Sequence, residues 1–388
     1  MASASGAPAA WRCRTAARRI FSRSTSRKRK STISADETLT AAYDYALPPE
    51  LIAQSPSPVR DESRLLSLDG PRVEHHRFHE LPELLHERDL LVLNETRVIP
   101  ARLFGRAASG ARIELLLLRP ASTLAYDGNA RRWLALAKPA RRLRAGTRIQ
   151  FETFGEAIVV AEGSDGVREI EFELRLPFEA FLAAFGEMPL PPYIHARDAA
   201  TNVRYQSVFA RVPGSIAAPT ASLHFTPALL EKIVARGVEL ARLTLNVGLG
   251  TFRPVTTERV EEHEMHAEAY ALGAGTAAAI ERAKAAGRRV VAVGTTVVRA
   301  LEGNAAEFGR LTPGEHATGL FIRPGFDFRV VDAMITNFHL PRSTLLMLVS
   351  AFAGRANVLR AYAEAVERRY RFYSFGDAML LTRQRCTM

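Results

Sequence analysis

Cysteine is nearly missing from this 388-residue chain: Cys13 and Cys386 stand near its opposite ends. Two such residues are too few for a thiolate metal cluster and badly placed for a structural disulfide, and a reducing cytoplasm suits them. Long hydrophobic runs are missing too. The most apolar stretch, residues 343–354, is about half of the roughly 20 residues a membrane helix needs, so no membrane segment is expected. Neither the P-loop pattern nor a G-x-S-x-G nucleophile elbow occurs, which removes support for nucleotide hydrolysis and for serine hydrolysis by Ser215 or Ser222 beside His224. Acid is absent from residues 1–35, which hold nine basic side chains of the 52 in the chain; the remainder has 43 basic against 41 acidic. The formal charge of +11 is therefore an N-terminal property, and a polyanion bound by the folded part must meet a local basic patch.

With 47% hydrophobic, 24% charged and 8% aromatic residues, the composition is that of a globular protein and excludes disorder or a collagen-like repeat. The length exceeds what one core comfortably holds. Residues 1–38 read as a basic, disordered leader, either solvated or a targeting or RNA-contacting arm. Residues 39–96 and 179–388 alternate strands and helices, the texture of an α/β domain on a largely parallel sheet. Between them, residues 97–178 break into short alternating runs separated by turn residues such as Gly105, Gly110, Gly146 and Gly166, which predicts an inserted small antiparallel β-barrel domain. Thr226, Pro227 and Gly237 form a consistent start and stop set for one helix.

Three small-residue loops follow predicted strands or open helices. Residues 214–225 (GSIAAPTASLHF) place small side chains and hydroxyls, Thr220 among them, where a backbone can approach a ligand. Residues 246–252 (NVGLGTF) follow a strand and supply Gly248, Gly250, Thr251 and Phe252; residues 294–296 supply Gly294, Thr295 and Thr296 at a helix start. Each alone reads equally well as a packing loop or a threonine cap, but three at the carboxyl edge of one sheet point to a cleft for a polar, nucleotide-like molecule. His263 and His266, spaced as one helical turn, could bind a metal with Glu262, although an acidic exposed connector is the simpler account. His224 and His339 are flanked by apolar residues, so each is either a hydrogen-bonded core residue or a general base. Lys138, Arg141, Arg142, Arg144 and Arg148, with Arg97, Arg102 and Arg106 nearby in sequence, form a basic run; such runs are usually solvated faces, but on a small barrel they also grip nucleic acid.

Residues 90–103 (LLVLNETRVIPARL), 188–194 (MPLPPYI), 214–225, 247–254 (VGLGTFRP), 264–268 (EMHAE), 294–302 (GTTVVRALE), 335–349 (ITNFHLPRSTLLMLV) and 370–380 (YRFYSFGDAML) occur in this order. Together they resemble the S-adenosylmethionine:tRNA ribosyltransferase-isomerases of queuosine biosynthesis, over about residues 47–381. The resemblance implies an α/β domain with an inserted β-barrel and a cytoplasmic, monomeric enzyme without a metal. It also implies that the ribosyl part of S-adenosylmethionine goes to 7-aminomethyl-7-deazaguanine at the wobble position of tRNA, giving epoxyqueuosine and releasing adenine and methionine. Asn246 stands where the family has histidine, and Ser222 where it has glycine; asparagine can hydrogen-bond there but cannot titrate.

That chemistry asks for a base at the ribose methylene that the sulfonium acidifies, and for a donor that helps adenine depart. His266, His224 and His339 are candidates, with Glu268 or Asp377 to orient the attacking amine or take its proton. The loops holding Gly248, Gly250 and Gly294 would hold the cofactor; Phe252, Phe338 or Tyr193 would stack on a base; Thr220, Asn337, Tyr193 and the basic residues Arg97, Arg102, Lys138, Arg141 and Arg142 would contact the tRNA substrate. An S-adenosylmethionine-dependent RNA methyltransferase and a non-enzymatic RNA-binding protein are the alternatives.

Overall fold

A computed structural model describes residues 35–123, 125–195, 198–248 and 255–384. Both cysteines, residues 1–34 of the leader, and Gly250, Thr251 and Phe252 lie outside them. From the N-terminal side come a hairpin of β1 (Arg64–Asp69) and β2 (Arg72–Arg77), a short α1 (Leu81–Leu84), β3 (Leu90–Asn94) and β4 (Thr96–Val98). Six strands follow: β5 (Arg102–Ala107), β6 (Arg112–Pro120), β7 (Arg132–Lys138), β8 (Arg148–Phe151), β9 (Gly155–Glu162) and β10 (Val167–Leu174). The chain continues through α2 (Phe178–Phe185), α3 (Ala199–Arg204), β11 (Val212–Ser215), α4 (Pro227–Ala235), β12 (Glu239–Leu245) and β13 (Glu268–Leu272). It ends with α5 (Ala274–Ala285), β14 (Val290–Val293), α6 (Thr295–Phe308), β15 (Gly314–Thr318), β16 (Ala333–Asn337), α7 (Thr344–Ala353), α8 (Arg355–Glu367) and β17 (Ala378–Thr382).

Nine strands make one mixed sheet in the order β15-β13-β12-β3-β14-β16-β17-β1-β2. Its centre, β12-β3-β14-β16, is parallel, as the alternation of strands and helices predicts. The margins differ from that expectation: β13 pairs antiparallel with both β12 and β15, β16 with β17, and β1 with β2. Strands covered on both faces read as continuous apolar runs, and Leu90–Leu93 and Val290–Val293 are wholly buried. Their alternation divides the core. Leu90, Val92, Val290 and Ala292 pack with α5 to α8, whereas Leu91, Leu93, Val291 and Val293 pack with Phe78, Leu81, Phe225, Leu229 and Ile233 on the other face. Helix α4 starts as its sequence dictates, with Thr226 Oγ1 accepting from Leu229 N–H at 3.1 Å and Pro227 in the first turn.

β5 to β10 close into a six-stranded antiparallel barrel. Its interior is filled by Leu103, Leu115, Trp133, Ile149, Val159 and Phe172, and α2 adds Phe178, Phe181 and Leu182 to the same core. Trp133 stacks on Phe178 with centroids 5.1 Å apart. Entry to and exit from this insertion are tied together by a parallel pairing of β4 with β11 and by Arg211, which holds Glu95 through two hydrogen bonds of 2.7 and 3.0 Å. Ser215, at the end of β11, accepts from Val247 N–H at 2.9 Å. The stem of the barrel is thus fastened to the loop after β12. No described helix is long and apolar enough to cross a membrane.

Candidate active site

The four central strands are parallel, so their carboxyl ends share one edge, the place where open α/β sheets bind ligands. Two cavities open there. The larger, of about 280 Å³, lies between barrel and sheet, walled by Leu134, Leu136 and Tyr126 on one side and by Asn246, Val247, Gly248, His266, Glu268 and Arg299 on the other. The smaller, of about 40 Å³, is lined by Thr220, Gly294, Thr295, Thr296, Asn337, His339 and Tyr373, among others. Val247 lines both.

The turns at Thr220, Val247 and Gly294 therefore converge on one rim, and backbone detail explains how. Gly294 has φ of +96°, a conformation side chains rarely adopt. Its N–H donates to Ile335 O at 2.8 Å, and a Cβ there would lie 3.8 Å from Ala221 Cβ. Gly294 is the N-cap of α6, leaving Thr295 and Thr296 in the first turn, where backbone N–H groups have no intrahelical acceptor. Close approach also requires glycine at Gly214, where a Cβ would sit 2.5 Å from Tyr126 Cβ and 3.0 Å from Asn246 Nδ2. Asn246 Oδ1 accepts from Thr96 Oγ1 at 3.0 Å.

In the larger cavity, buried Arg299 forms an ion pair with buried Glu268, whose other oxygen accepts Gly248 N–H at 3.0 Å. His266 lines the cavity next to them on an irregular segment leading into β13. The helical spacing read into His263 and His266 is absent: the short helical turn before them ends at Glu262, and residues 263–267 run irregularly into β13, which starts at Glu268. Among the described residues no three His, Cys, Asp or Glu side chains gather to hold a metal ion. Burial, and then the neighbouring His266, lower the His263 pKa.

Residues 40–381 match the model of a family described as queuosine biosynthesis protein. The chain belongs to this family. An S-adenosylmethionine:tRNA ribosyltransferase-isomerase of Thermus thermophilus is 54% identical over 351 residues, spanning 88% of this chain and 98% of its own. One from Gloeobacter violaceus is 52% identical over 344 residues, 88% of this chain and 96% of its own. A crystal structure of S-adenosylmethionine tRNA ribosyltransferase from Thermotoga maritima is 39% identical in sequence, covers 88% of this chain and 99% of its own, and superposes with a TM-score of 0.49.

In this queuosine biosynthesis protein the expected site residues divide. Gly248, His266 and Glu268 gather at the larger cavity, and Thr220, Gly294, Thr295, Thr296, Asn337 and His339 at the smaller. His224 reaches neither: its Nδ1 lies 2.7 Å from Ser63 Oγ, its Nε2 3.2 Å from Asn337 Nδ2, and its ring stacks on Phe78. Burial pushes its pKa down to about 3, and that of His339 likewise. A free base is thus not available at His224, and its place is behind Asn337. Asp377 also stands apart, because its carboxylate accepts from Arg64 N–H at 3.0 Å, Arg64 Nε at 3.2 Å and Arg371 N–H at 2.8 Å. Tyr193 lines neither cavity; it is hydrogen-bonded to Ser374 and packed on Tyr373 at 4.2 Å, two residues of the smaller one.

Of the basic residues, Arg97, Lys138, Arg141 and Arg142 are exposed. Arg102 is not; it is 8% exposed and paired with Glu114 at 3.0 Å across the barrel wall, which takes it out of reach of a phosphate. Buried Arg168 holds the turn that carries Arg141 and Arg142, donating to Leu143 O at 2.6 Å and Ala140 O at 2.7 Å. Gly166 packs against that turn, and Ser164 and Asp165 line the larger cavity, so the basic turn lies beside its mouth. Sequence reading missed Tyr373 and Ser374. Tyr373 has φ of +74°, unusual for a bulky side chain, and the only local signal is Gly376 closing the same turn.

Proposed function

We propose that this protein moves the ribosyl group of S-adenosylmethionine to 7-aminomethyl-7-deazaguanine at the wobble position of tRNA and isomerises it to epoxyqueuosine, releasing adenine and methionine. The observation that carries this reading is the meeting of the Thr220, Val247–Gly248 and Gly294–Thr296 turns beside His266 at the sheet's carboxyl edge, in a chain of this family.

Gly248, Gly294, Thr295 and Thr296 hold the adenosine and methionine parts, and the same role is assigned to Gly250, Thr251 and Phe252 by their place in the sequence motif. His266 is the base. The sulfonium acidifies the adjacent ribose methylene and His266 takes that proton; the electron pair left on carbon forms a carbon–carbon double bond as the ring C–O bond breaks, the freed oxygen forms a carbonyl at the anomeric carbon, and adenine leaves with the electron pair of its glycosidic bond and takes up a proton. His339, neutral at physiological pH, donates a hydrogen bond to the departing base. The uncharged aminomethyl nitrogen then bonds to the ribosyl carbon skeleton and gives up one N–H proton to solvent, and methionine is displaced with the electron pair of its carbon–sulfur bond. Glu268, engaged by Arg299 and Gly248, orients these groups and is not the proton acceptor. Lys138, Arg141, Arg142 and Arg97 meet the tRNA backbone, while Tyr193 and Thr220 border the wobble base. The acting unit in this reading is a monomer, and a tRNA substrate suits the cytoplasm.

Product analysis tests the reaction. Protein, S-adenosylmethionine and tRNA bearing the aminomethyl base should give adenine and methionine in equal amounts. S-adenosylhomocysteine would instead establish a methyltransferase, and tight tRNA binding with no small-molecule product an RNA-binding module.

A further inference from the structure

The smaller cavity contains an acceptor whose orientation is settled by its neighbours. Asn337 Nδ2 lies 3.3 Å from Tyr373 O, a carbonyl that can only accept, so this end of the amide is the NH₂ group. The same NH₂ lies 3.2 Å from His224 Nε2, which must therefore accept. The ring proton then sits on Nδ1, which donates to Ser63 Oγ at 2.7 Å, and Ser63 Oγ donates to Arg60 O at 3.3 Å. Burial keeps His224 neutral, in accord with this assignment. One atom is left over. Asn337 Oδ1 is buried, and among the described residues it has no hydrogen-bond partner. Buried Thr296 Oγ1, on the same cavity, has none either.

A buried acceptor without a donor is costly, and three observations say what would satisfy it. The described lining of this cavity contains no Asp, Glu, Lys or Arg, so a neutral N–H donor suits it better than an ammonium group. Phe338, Tyr373, Val247 and Leu345 give it apolar walls. It is much smaller than the neighbouring cavity, about 40 against about 280 Å³, which suits the flat edge of a heterocycle. We propose that this cavity receives the amidine edge of an aminopurine, with Asn337 Oδ1 accepting from the exocyclic amino group and the Thr296 hydroxyl donating to the neighbouring ring nitrogen. The proposal rests on the ribosyl-transfer reading, which brings two bases of this chemistry to the site: adenine of S-adenosylmethionine and 7-aminomethyl-7-deazaguanine of tRNA. His224 and Ser63 are positioning residues that fix which end of Asn337 faces the ligand.

Two analogues test it with the intact wild-type protein by equilibrium binding. One is S-adenosylmethionine with hypoxanthine in place of adenine; the other is an anticodon stem-loop whose wobble base lacks the 2-amino group. One of them should bind about tenfold to a hundredfold more weakly than its parent, naming adenine or the wobble base as the occupant. The discrimination should shrink to within about threefold in Asn337→Ser, or in Thr296→Val if the first variant does not fold. Equal binding of both analogues and parents to the wild type would overturn the proposal, as would discrimination that survives in a folded Asn337→Ser protein. Adenine release by the wild type is measured separately: its presence with no analogue discrimination rejects the cavity assignment alone, and its absence rejects the reaction.

Discussion

Arg299 and Glu268 form a buried ion pair that joins α6 to the loop after β12, because the same carboxylate accepts the Gly248 N–H at 3.0 Å. Two of the three convergent turns are thereby held in fixed relation. Removing the guanidinium from a buried carboxylate typically costs about 3–5 kcal/mol, whereas neutralising both partners costs much less. Arg299→Met should therefore lower the urea midpoint far more than the double variant Arg299→Met/Glu268→Gln. Equal midpoints would show that the pair does not couple these elements.

His224 and His339 set an acid limit on the fold. Both are neutral in the native protein with pKa near 3, below the ordinary 6.5. An unfolded chain takes up protons at these positions as pH falls below 6.5 while the native one does not, so stability is present above that pH and is lost on acidification towards 3. Each contributes a slope of about 1.4 kcal/mol per pH unit within that window. Denaturation followed against pH should show this slope, and His339→Gln should halve the histidine part. NMR should find neither imidazole titrating between about pH 5 and about pH 8.

Glu302 works in the opposite sense. Its carboxylate accepts backbone N–H groups of Arg329, Val330 and Val331 at 2.8 to 3.0 Å, yet burial outweighs these bonds and raises its pKa. A raised carboxylate contributes stability that is complete below the ordinary glutamate range and falls away as pH rises through the folded value. Glu302→Gln should flatten the stability curve on the neutral side of that range while costing about 1–3 kcal/mol for the imperfectly replaced acceptor. A Gln variant with unchanged pH dependence would contradict this assignment.

The exposed basic turn makes a separable prediction about tRNA. Replacing Lys138, Arg141 and Arg142 by Ala should weaken tRNA binding similarly for modified and unmodified wobble bases, and should reduce the salt slope by about one for each phosphate no longer neutralised. Affinity for S-adenosylmethionine should be unchanged. Deleting residues 1–38 is the companion measurement: a larger drop in affinity there would assign phosphate binding to the leader.

What could be read from the sequence was whatever is local. Thr226, Pro227 and Gly237 announce α4, alternating runs between turn glycines announce the barrel strands, and apolar Leu90–Leu93 and Val290–Val293 announce strands covered on both faces. Distant pairing was not legible. The antiparallel margin of the sheet depends on β13 meeting both β12 and β15, and no local pattern says so. Arg102 looks like its exposed neighbours until a strand pairing brings Glu114 to it. The same limit applies to the site. Small-residue loops could be picked out singly, whereas the orientation of Asn337, and with it the orphaned acceptor, depends on Ser63, His224 and Tyr373 from three other parts of the chain.

Hydrogen exchange with and without S-adenosylmethionine tests most directly whether the three turns form one seat. The ligand should slow exchange at Thr220–Ala221, Val247–Gly248 and Thr295–Val297 together, with the barrel strands β8 and β9 unchanged. Protection of only one of these segments, or protection centred on the outer face of the barrel, would show that they do not.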